Sequence, residues 1–303
     1  MLVDIFAANI LPIFLAASTG FVLGRTLQPD LRTVSRLAFY IFSPCLVFNS
    51  VYHSELSSGE FGRMALFTLC VIALMALLAL LVGLGLRLER RLLATLVVAA
   101  VFVNGGNYGL ALNQFAFGSE AVARAVVYYV ISTLCVYTVG VTAAALGHQP
   151  LRAALAQVLT VPAVYGLILA GGLRALGWEL HPALDRAVSL LSQAAIPVML
   201  VVLGLQLAEA RTWPHARLGL IGVAAFLQLV VAPLAGLGLA GALGLTGVTR
   251  QAAVLEAAMP TAVITTILAV EYKLDSALVT GAVLASTLLS PLTLTPLIAY
   301  LQR

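Results

Sequence analysis

Charged residues are spaced so widely along this 303-residue chain that the intervals between them have the length of bilayer spans. A hydrocarbon core takes about 20 apolar residues of helix to cross. Uncharged runs fill Ile5–Gly24, Leu37–Ser54, Met64–Leu86, Leu92–Ser119, Ala125–Leu151, Ala153–Leu173, Ala187–Ala208, Leu218–Thr249 and Ser276–Gln302. A tenth stretch, Gln251–Val270, matches them except for Glu256. Ten spans at about 20 residues each use about two thirds of the chain and leave no room for an extramembrane domain, a long linker or a low-complexity tail. Only 9% of residues are charged, against about a quarter in soluble proteins. That composition excludes a soluble enzyme, a nucleic-acid binder and a secreted disulfide scaffold. The net charge of +4 is small and scattered, as expected of residues facing lipid headgroups rather than nucleic acid. Met1-Leu2-Val3-Asp4 lacks the basic start of a cleaved signal, so the first run is expected to be a span. Cys45, Cys70 and Cys135 all fall inside spans and read as packing residues.

Ten spans divide into two sets of five, and an odd number per set forces the sets into opposite orientations. An offset of about 153 residues lays Ala99-Ala100-Val101 on Ala252-Ala253-Val254, Asn107 on Pro260, and Pro44 on Pro197. One residue more lays Ser132-Thr133-Leu134 on Ser286-Thr287-Leu288. The expected fold is therefore an all-α integral membrane protein of two inverted five-span repeats, residues 1–151 and 152–303.

In each half the fourth span is interrupted in character. Span 4 places Asn104, Gly105, Gly106, Asn107 and Gly109 together, and span 9 carries Glu256, Pro260, Thr261, Thr265 and Thr266. Glycine weakens a helix interior by about 1 kcal/mol, and proline both lacks the N–H and clashes with the preceding turn. Both helices are expected to unwind, and unwound backbone in a bilayer is tolerated where protein or a wet cavity satisfies it. Two breaks at one repeat position point to a shared midplane site, with half-helix N-termini for an anion and free carbonyls for a cation. Asn104, Asn107, Gly109, Pro260 and Thr261 are the candidate substrate residues. An acid inside hydrocarbon is functional by default, so Glu256 is a candidate cation ligand or proton carrier, with Ser132, Thr133, Ser286 and Thr287 as hydroxyl partners. The competing readings are a small-residue packing face at Gly105 and Gly109, a simple kink at Pro260, an interfacial pair of Glu256 with Arg250, and hydroxyls bonded to their own backbone. Pro44 and Pro197 are expected to kink spans 2 and 7, and Glu271, Lys273 and Asp275 to form an ordinary turn. His53, His148, His181 and His215 lie at span ends or in loops, and no protease constellation can be assembled, so no enzymatic activity is expected.

The strings "NGGNYGLAL" at 104–112, "AAMPTAVITTILAVEY" at 257–272 and "STLLSPLTLTPLI" at 286–298 resemble a bacterial member of the auxin efflux carrier family, which is related to the bile acid:sodium symporters. The likeness covers the whole chain. Asn107, Gly109 and Leu110 match the family's Asn-rich glycine motif, while Ala111 stands where proline is common, so the span-4 break rests on glycines. The resemblance implies a scaffold of spans 1, 2, 6 and 7, forming a homodimer, and a mobile core of spans 3–5 and 8–10 in which spans 4 and 9 cross. In the bile acid relatives a span-9 Glu helps hold sodium. Here Glu256 and Met259 match that pattern and the amide pair after it does not, which leaves sodium, proton or no coupling open. The implied function is secondary transport of a small organic anion, a carboxylate such as malate or malonate or an auxin-like weak acid, by alternating access. The rival is a ligand-binding membrane sensor, against which stands the lack of any signalling domain.

Ten basic residues (Arg25, Arg32, Arg36, Arg87, Arg90, Arg91, Arg152, Arg211, Arg217, Lys273) fall in the loops after odd-numbered spans, against Arg63, Arg124, Arg174, Arg186, Arg250 and Arg303 on the other side. The positive-inside rule then puts both termini outside the cytoplasm, in a multi-pass protein of the cell inner membrane. Single cysteines introduced at Arg87–Arg91 should resist an impermeant thiol reagent in intact cells, while one beside His181 should label. The reverse pattern would invert the topology.

Overall fold

The computed structural model describes residues 1–144, 159–209 and 217–303. In chain order the helices are α1 (Leu2–Thr26), α2 (Leu31–Tyr52), α3 (Ser58–Gly85), α4 (Arg90–Val101), α5 (Leu110–Phe117), α6 (Ser119–Ala144), α7 (Pro162–Leu176), α8 (Pro182–Glu209), α9 (Leu218–Ala242), α10 (Gly247–Ala257), α11 (Ile264–Glu271) and α12 (Ser276–Leu301). Seven of them, α1, α2, α3, α6, α8, α9 and α12, are long and apolar enough to cross a membrane. Leucines 66, 69, 77, 80, 81 and 84 of α3 and 288, 289 and 292 of α12 are exposed, an apolar exterior that only lipid solvates. The chain is an integral membrane protein. Arg152, Arg211, His148, His215 and the repeat boundary at 151/152 lie outside the described residues.

Proline shapes three spans in the same way. Wide π-turns at Phe6–Ile10, Ala38–Phe42 and Leu227–Val231 each end two residues before a proline, at Pro12, Pro44 and Pro233. A proline leaves the carbonyl four residues earlier without a donor. Those carbonyls belong to Ala8, Tyr40 and Leu229, the middle residue of each π-turn. In a π-turn a carbonyl bonds the N–H five residues on, so widening the turn restores its partner. Pro44 thus sits in a continuous helix with a wide turn beneath it, and Pro197 lies inside the continuous α8. At the start of α2, Asp30 accepts from the Arg32 and Thr33 amides and the Thr33 hydroxyl. The Thr33 hydroxyl is the main cause that holds its carboxyl below the usual range.

Helix α8 lies along α1 and α2, and α7 packs on α2. Glycines set these crossings. A Cβ on Gly20 would strike the Val201 carbonyl, one on Gly204 the Ala17 carbonyl, and one on Gly166 would lie 2.5 Å from the Pro44 oxygen. The largest apolar cluster joins α3, α4, α6, α9, α10 and α12 with the first half of α1, and a second joins α2, α7 and α6.

Two polar knots close the ends of the larger cluster. At one end Glu60 caps α3 with Ser57 (3.1 and 3.2 Å). The other oxygen of Glu60 accepts from Thr249 of α10 at 2.8 Å and Arg124 of α6 at 3.1 Å. Arg124 also holds Glu120 at 2.5 Å and, through Nε, the Thr249 hydroxyl at 3.1 Å. Arg124, counted as a loop charge from sequence, is therefore buried. At the opposite end Arg91 donates to the Leu274 carbonyl (3.1 Å), the Asp275 amide to the Thr95 hydroxyl (3.2 Å), and Arg217 pairs with Asp275 (3.2 Å). Asp275 also accepts from the Leu278 amide, so the turn expected to be ordinary ties α4, α9 and α12.

Gly204→Ala and Gly20→Ala should each destabilise the protein in detergent, by about 1–3 kcal/mol for an overpacked core. Gly241→Ala, which faces open space, should be neutral or stabilise by up to about 1 kcal/mol. Thermal unfolding of the three variants checks the ordering.

Candidate substrate site at two helix breaks

Both expected interruptions are present, and each lies against the other. Helix α4 stops at Val101, residues 102–104 are non-helical, and a π-turn at Gly105–Gly109 leads into α5. Helix α10 stops at Ala257, and the chain runs without helix through Met259-Pro260 until α11 begins at Ile264. The non-helical residues pair as a one-rung antiparallel bridge, Val103 with Thr261. The Asn104 amide donates to the Pro260 carbonyl at 2.7 Å, and the Ala262 amide to the Phe102 carbonyl at 2.8 Å. Other freed groups are met by side chains. The Thr261 hydroxyl donates to the Ala99 carbonyl (2.9 Å), the Thr261 amide to the Ser286 hydroxyl (3.0 Å), and the Gln228 amide to the Met259 carbonyl (3.0 Å).

On one side of the crossing is a cavity of about 230 Å³. Asn104, Gly105, Gly106 and Asn107 line one wall, with Ser132, Thr133 and Gln206 beside them. Phe39, Tyr129, Tyr137, Val136, Met199, Val202, Ile264 and Ile267 form much of the remainder with Ser35, and among the described residues no Lys or Arg lines it. The helix that begins at Gly105 has no earlier turn to bond its first N–H groups, and its positive dipole end is at this wall. The Asn104 side-chain nitrogen is buried without a partner. A second pocket of about 460 Å³ lies toward the end of the molecule where α2 ends and α6 begins, lined by Asn49, His53, Gln114, Glu120, Gln193 and Pro197 among others.

The opposite face of the same π-turn meets Glu256. This carboxylate is fully buried, and a Cβ on Gly105 or Gly109 would lie 2.5 Å from its oxygens. The Asn113 amide donates to it at 2.9 Å and to the Gly109 carbonyl at 2.9 Å. Glu256 Oε2, Asn113 Oδ1 and the Tyr128 hydroxyl are buried without partners. Arg250 turns away to the Tyr300 hydroxyl (3.2 Å) and ring, so the interfacial pairing of Glu256 with Arg250 is not formed.

The expected residues are thus divided. Asn104 and Asn107 line the cavity, Gly109 abuts Glu256, Pro260 serves through its carbonyl, and Thr261 is fully buried in the crossing. Of the hydroxyls grouped with Glu256, Ser132 and Thr133 line the cavity, from which Glu256 is absent, and Thr133 bonds its own helix at Tyr129. Ser286 supports Thr261, and the Thr287 hydroxyl is buried without a partner. Sequence reading passed over Asn113, Tyr128, Tyr129 and Gln206. Only Asn113 left a signal, one helical turn beyond Gly109 in an apolar span.

The bridge register relates 103 to 261, a separation of 158, and the helix ends Val101 and Ala257 are 156 apart. Asn107 lines the cavity, while the Pro260 carbonyl accepts from the Asn104 amide.

Residues 5–298 match the family model described as membrane transport protein. The chain is 29% identical over 272 residues to an uncharacterized transporter of Methanothermobacter thermautotrophicus, covering 89% of this chain and 88% of that one. An uncharacterized transporter of Methanocaldococcus jannaschii is 24% identical over 279 residues, covering 89% of each.

Thr261→Val keeps shape and removes the hydroxyl that covers the Ala99 carbonyl. Stability should fall by about 1–3 kcal/mol, the cost of a buried group left unpaired. Thr266→Val, at a half-buried hydroxyl bonded only within its own turn, should cost less. Unfolding in detergent reads both.

Proposed function

This chain belongs to the membrane transport protein family, that of the auxin efflux carriers, and from that premise we propose that it is a secondary transporter moving a small organic anion by alternating access. The observation that carries the reading is the cavity whose polar wall is a helix N-terminus. A carboxylate fits the unbonded N–H groups from Gly105 to Asn107, with the unpartnered Asn104 amide beside them. Ser35, Ser132, Thr133 and Gln206 add neutral polar groups, the rest of the wall is mainly apolar and aromatic, and among the described residues no cationic side chain lines it for a second carboxylate. Within the carboxylates expected from the family, this lining favours a weak monocarboxylic acid with an apolar body over malate or malonate.

The architecture we propose is ten crossings in two inverted repeats, 1–151 and 152–303. In it α4 with α5 makes the fourth crossing, and α10 with α11 the ninth. Paired packing supports it. The first crossing meets the seventh at Gly20 and Gly204, and the second meets the sixth at Gly166. One polar knot joins crossings 3, 5 and 9, and the other joins 8, 10 and 4. Helices α1, α2, α7 and α8 are then the scaffold, through which two copies associate, and the remainder is the moving core. With Arg25, Arg32 and Arg36 on the cytoplasmic side of the inner membrane, the cavity at Ser35 and Phe39 faces inward and both termini lie outside.

In proteoliposomes the protein should exchange phenylacetate or indole-3-acetate across the bilayer by counterflow, more readily than malate or malonate. Asn107→Leu should abolish exchange while the variant still inserts and melts as a folded protein. Binding of the acid without counterflow would make the chain a sensor instead, and normal exchange by Asn107→Leu would move the site elsewhere.

A further inference from the structure

Resting on the transporter reading, we propose that the ion moved with the anion is a proton carried on the carboxyl of Glu256. The enclosure of this side chain is the argument. It is fully buried, and the basic residue nearest on its own helix, Arg250, is engaged by Tyr300. Among the described residues its one hydrogen-bond donor is Asn113. Because the same Asn113 nitrogen also donates to the Gly109 carbonyl, the amide is fixed with N–H, not oxygen, toward Glu256. A metal cation needs several oxygen ligands about it, and here an N–H faces one carboxylate oxygen. The backbones of Gly105 and Gly109 close over the carboxylate so tightly that even a methyl group would collide with it. A proton needs no such shell. It fits on Oε2, which has no other partner.

The elements packed on α10 bring few ionisable groups to this carboxyl. From α6 comes Tyr128, its hydroxyl unpartnered and in electrostatic contact with Glu256 and Cys135. The π-turn and α5 contribute glycines and Asn113, and α9 contributes Gln228, which is bonded to Met259. Glu60 of α3 and Arg124 of α6 are bound to each other and to Thr249 at the outer end of α10, and Tyr300 of α12 holds Arg250. A buried carboxylate without a cation near it is charge that the site cannot solvate.

Coupling follows from the two faces of one turn. Gly105 lines the anion cavity and also touches Glu256. An ionised Glu256 would compete with a bound carboxylate for the same positive helix end, whereas a protonated one would not. Proton and anion therefore bind together, each strengthening the other by the same factor. The proton is taken from water on one side and returned to water on the other, with the anion.

Titration of phenylacetate into the purified protein across neutral and alkaline pH tests this. The wild-type Kd should rise about tenfold per pH unit once Glu256 ionises, the slope for one linked proton. Glu256→Gln should bind with no pH slope and fail to accumulate phenylacetate in vesicles under an imposed proton gradient. Replacing sodium with choline should change neither protein. A wild-type Kd flat in pH, a Gln variant that keeps the slope, or a requirement for sodium would overturn the proposal. Infrared difference spectra after a pH jump need no substrate. A carboxylic-acid carbonyl band that titrates in wild type and is missing from Glu256→Gln supports the proton site, and its absence from wild type refutes it. Failure of phenylacetate to bind at any pH, with that band present, would count against the substrate reading alone.

Discussion

A helix interrupted inside hydrocarbon exposes backbone N–H and C=O groups that lipid cannot satisfy, at several kcal/mol each, and the rest of this molecule is arranged around that constraint. Neither α4 with α5 nor α10 with α11 could sit alone in a bilayer. Laid across each other, they exchange two backbone hydrogen bonds at Val103 and Thr261, and Thr261, Ser286 and Gln228 cover three further groups. The polar residues of these spans therefore include some that support the crossing rather than meet a ligand. Their removal should cost stability before it alters specificity.

The crossing also explains how two unlike environments lie back to back. The π-turn at Gly105–Gly109 is thin because three of its five residues are glycine. One side opens to a cavity with a polar end and an aromatic body, and the other seals a carboxyl from water. Side chains on Gly105 or Gly109 would fill the space that Glu256 occupies. The glycines thus serve close approach, as the packing reading held, but what approaches is an acid rather than a neighbouring helix.

Much of this was legible in the sequence because membrane spans are written in charge spacing and helix breaks in proline and glycine. The interruptions near Asn104 and Pro260 and the singular character of Glu256 followed from those signals. The partner of Glu256 did not, because Asn113 comes from another span, and tertiary contact carries no local periodicity. Arg124 misled for a related reason. Its position near a span end suggested solvent, yet Glu60 and Thr249 arrive from two other helices to bury it.

The two polar knots have a mechanical consequence. Both lie wholly among α3, α4, α6, α9, α10 and α12, and the hydrogen bond of His53 with Asp185 joins the end of α2 only to α8. Among the described residues no ion pair spans the surface where α2 and α8 face α6 and the π-turn. The hydrogen bond of Ser43 with Tyr129, at 3.2 Å, joins α2 to α6 there. Among the described residues the ion pairs thus lie within the larger group of helices and not across its contact with α2 and α8. Sliding along that contact would break dispersion contacts and a neutral hydrogen bond, both of which can reform at a new register, so among the described residues no ion pair would resist it.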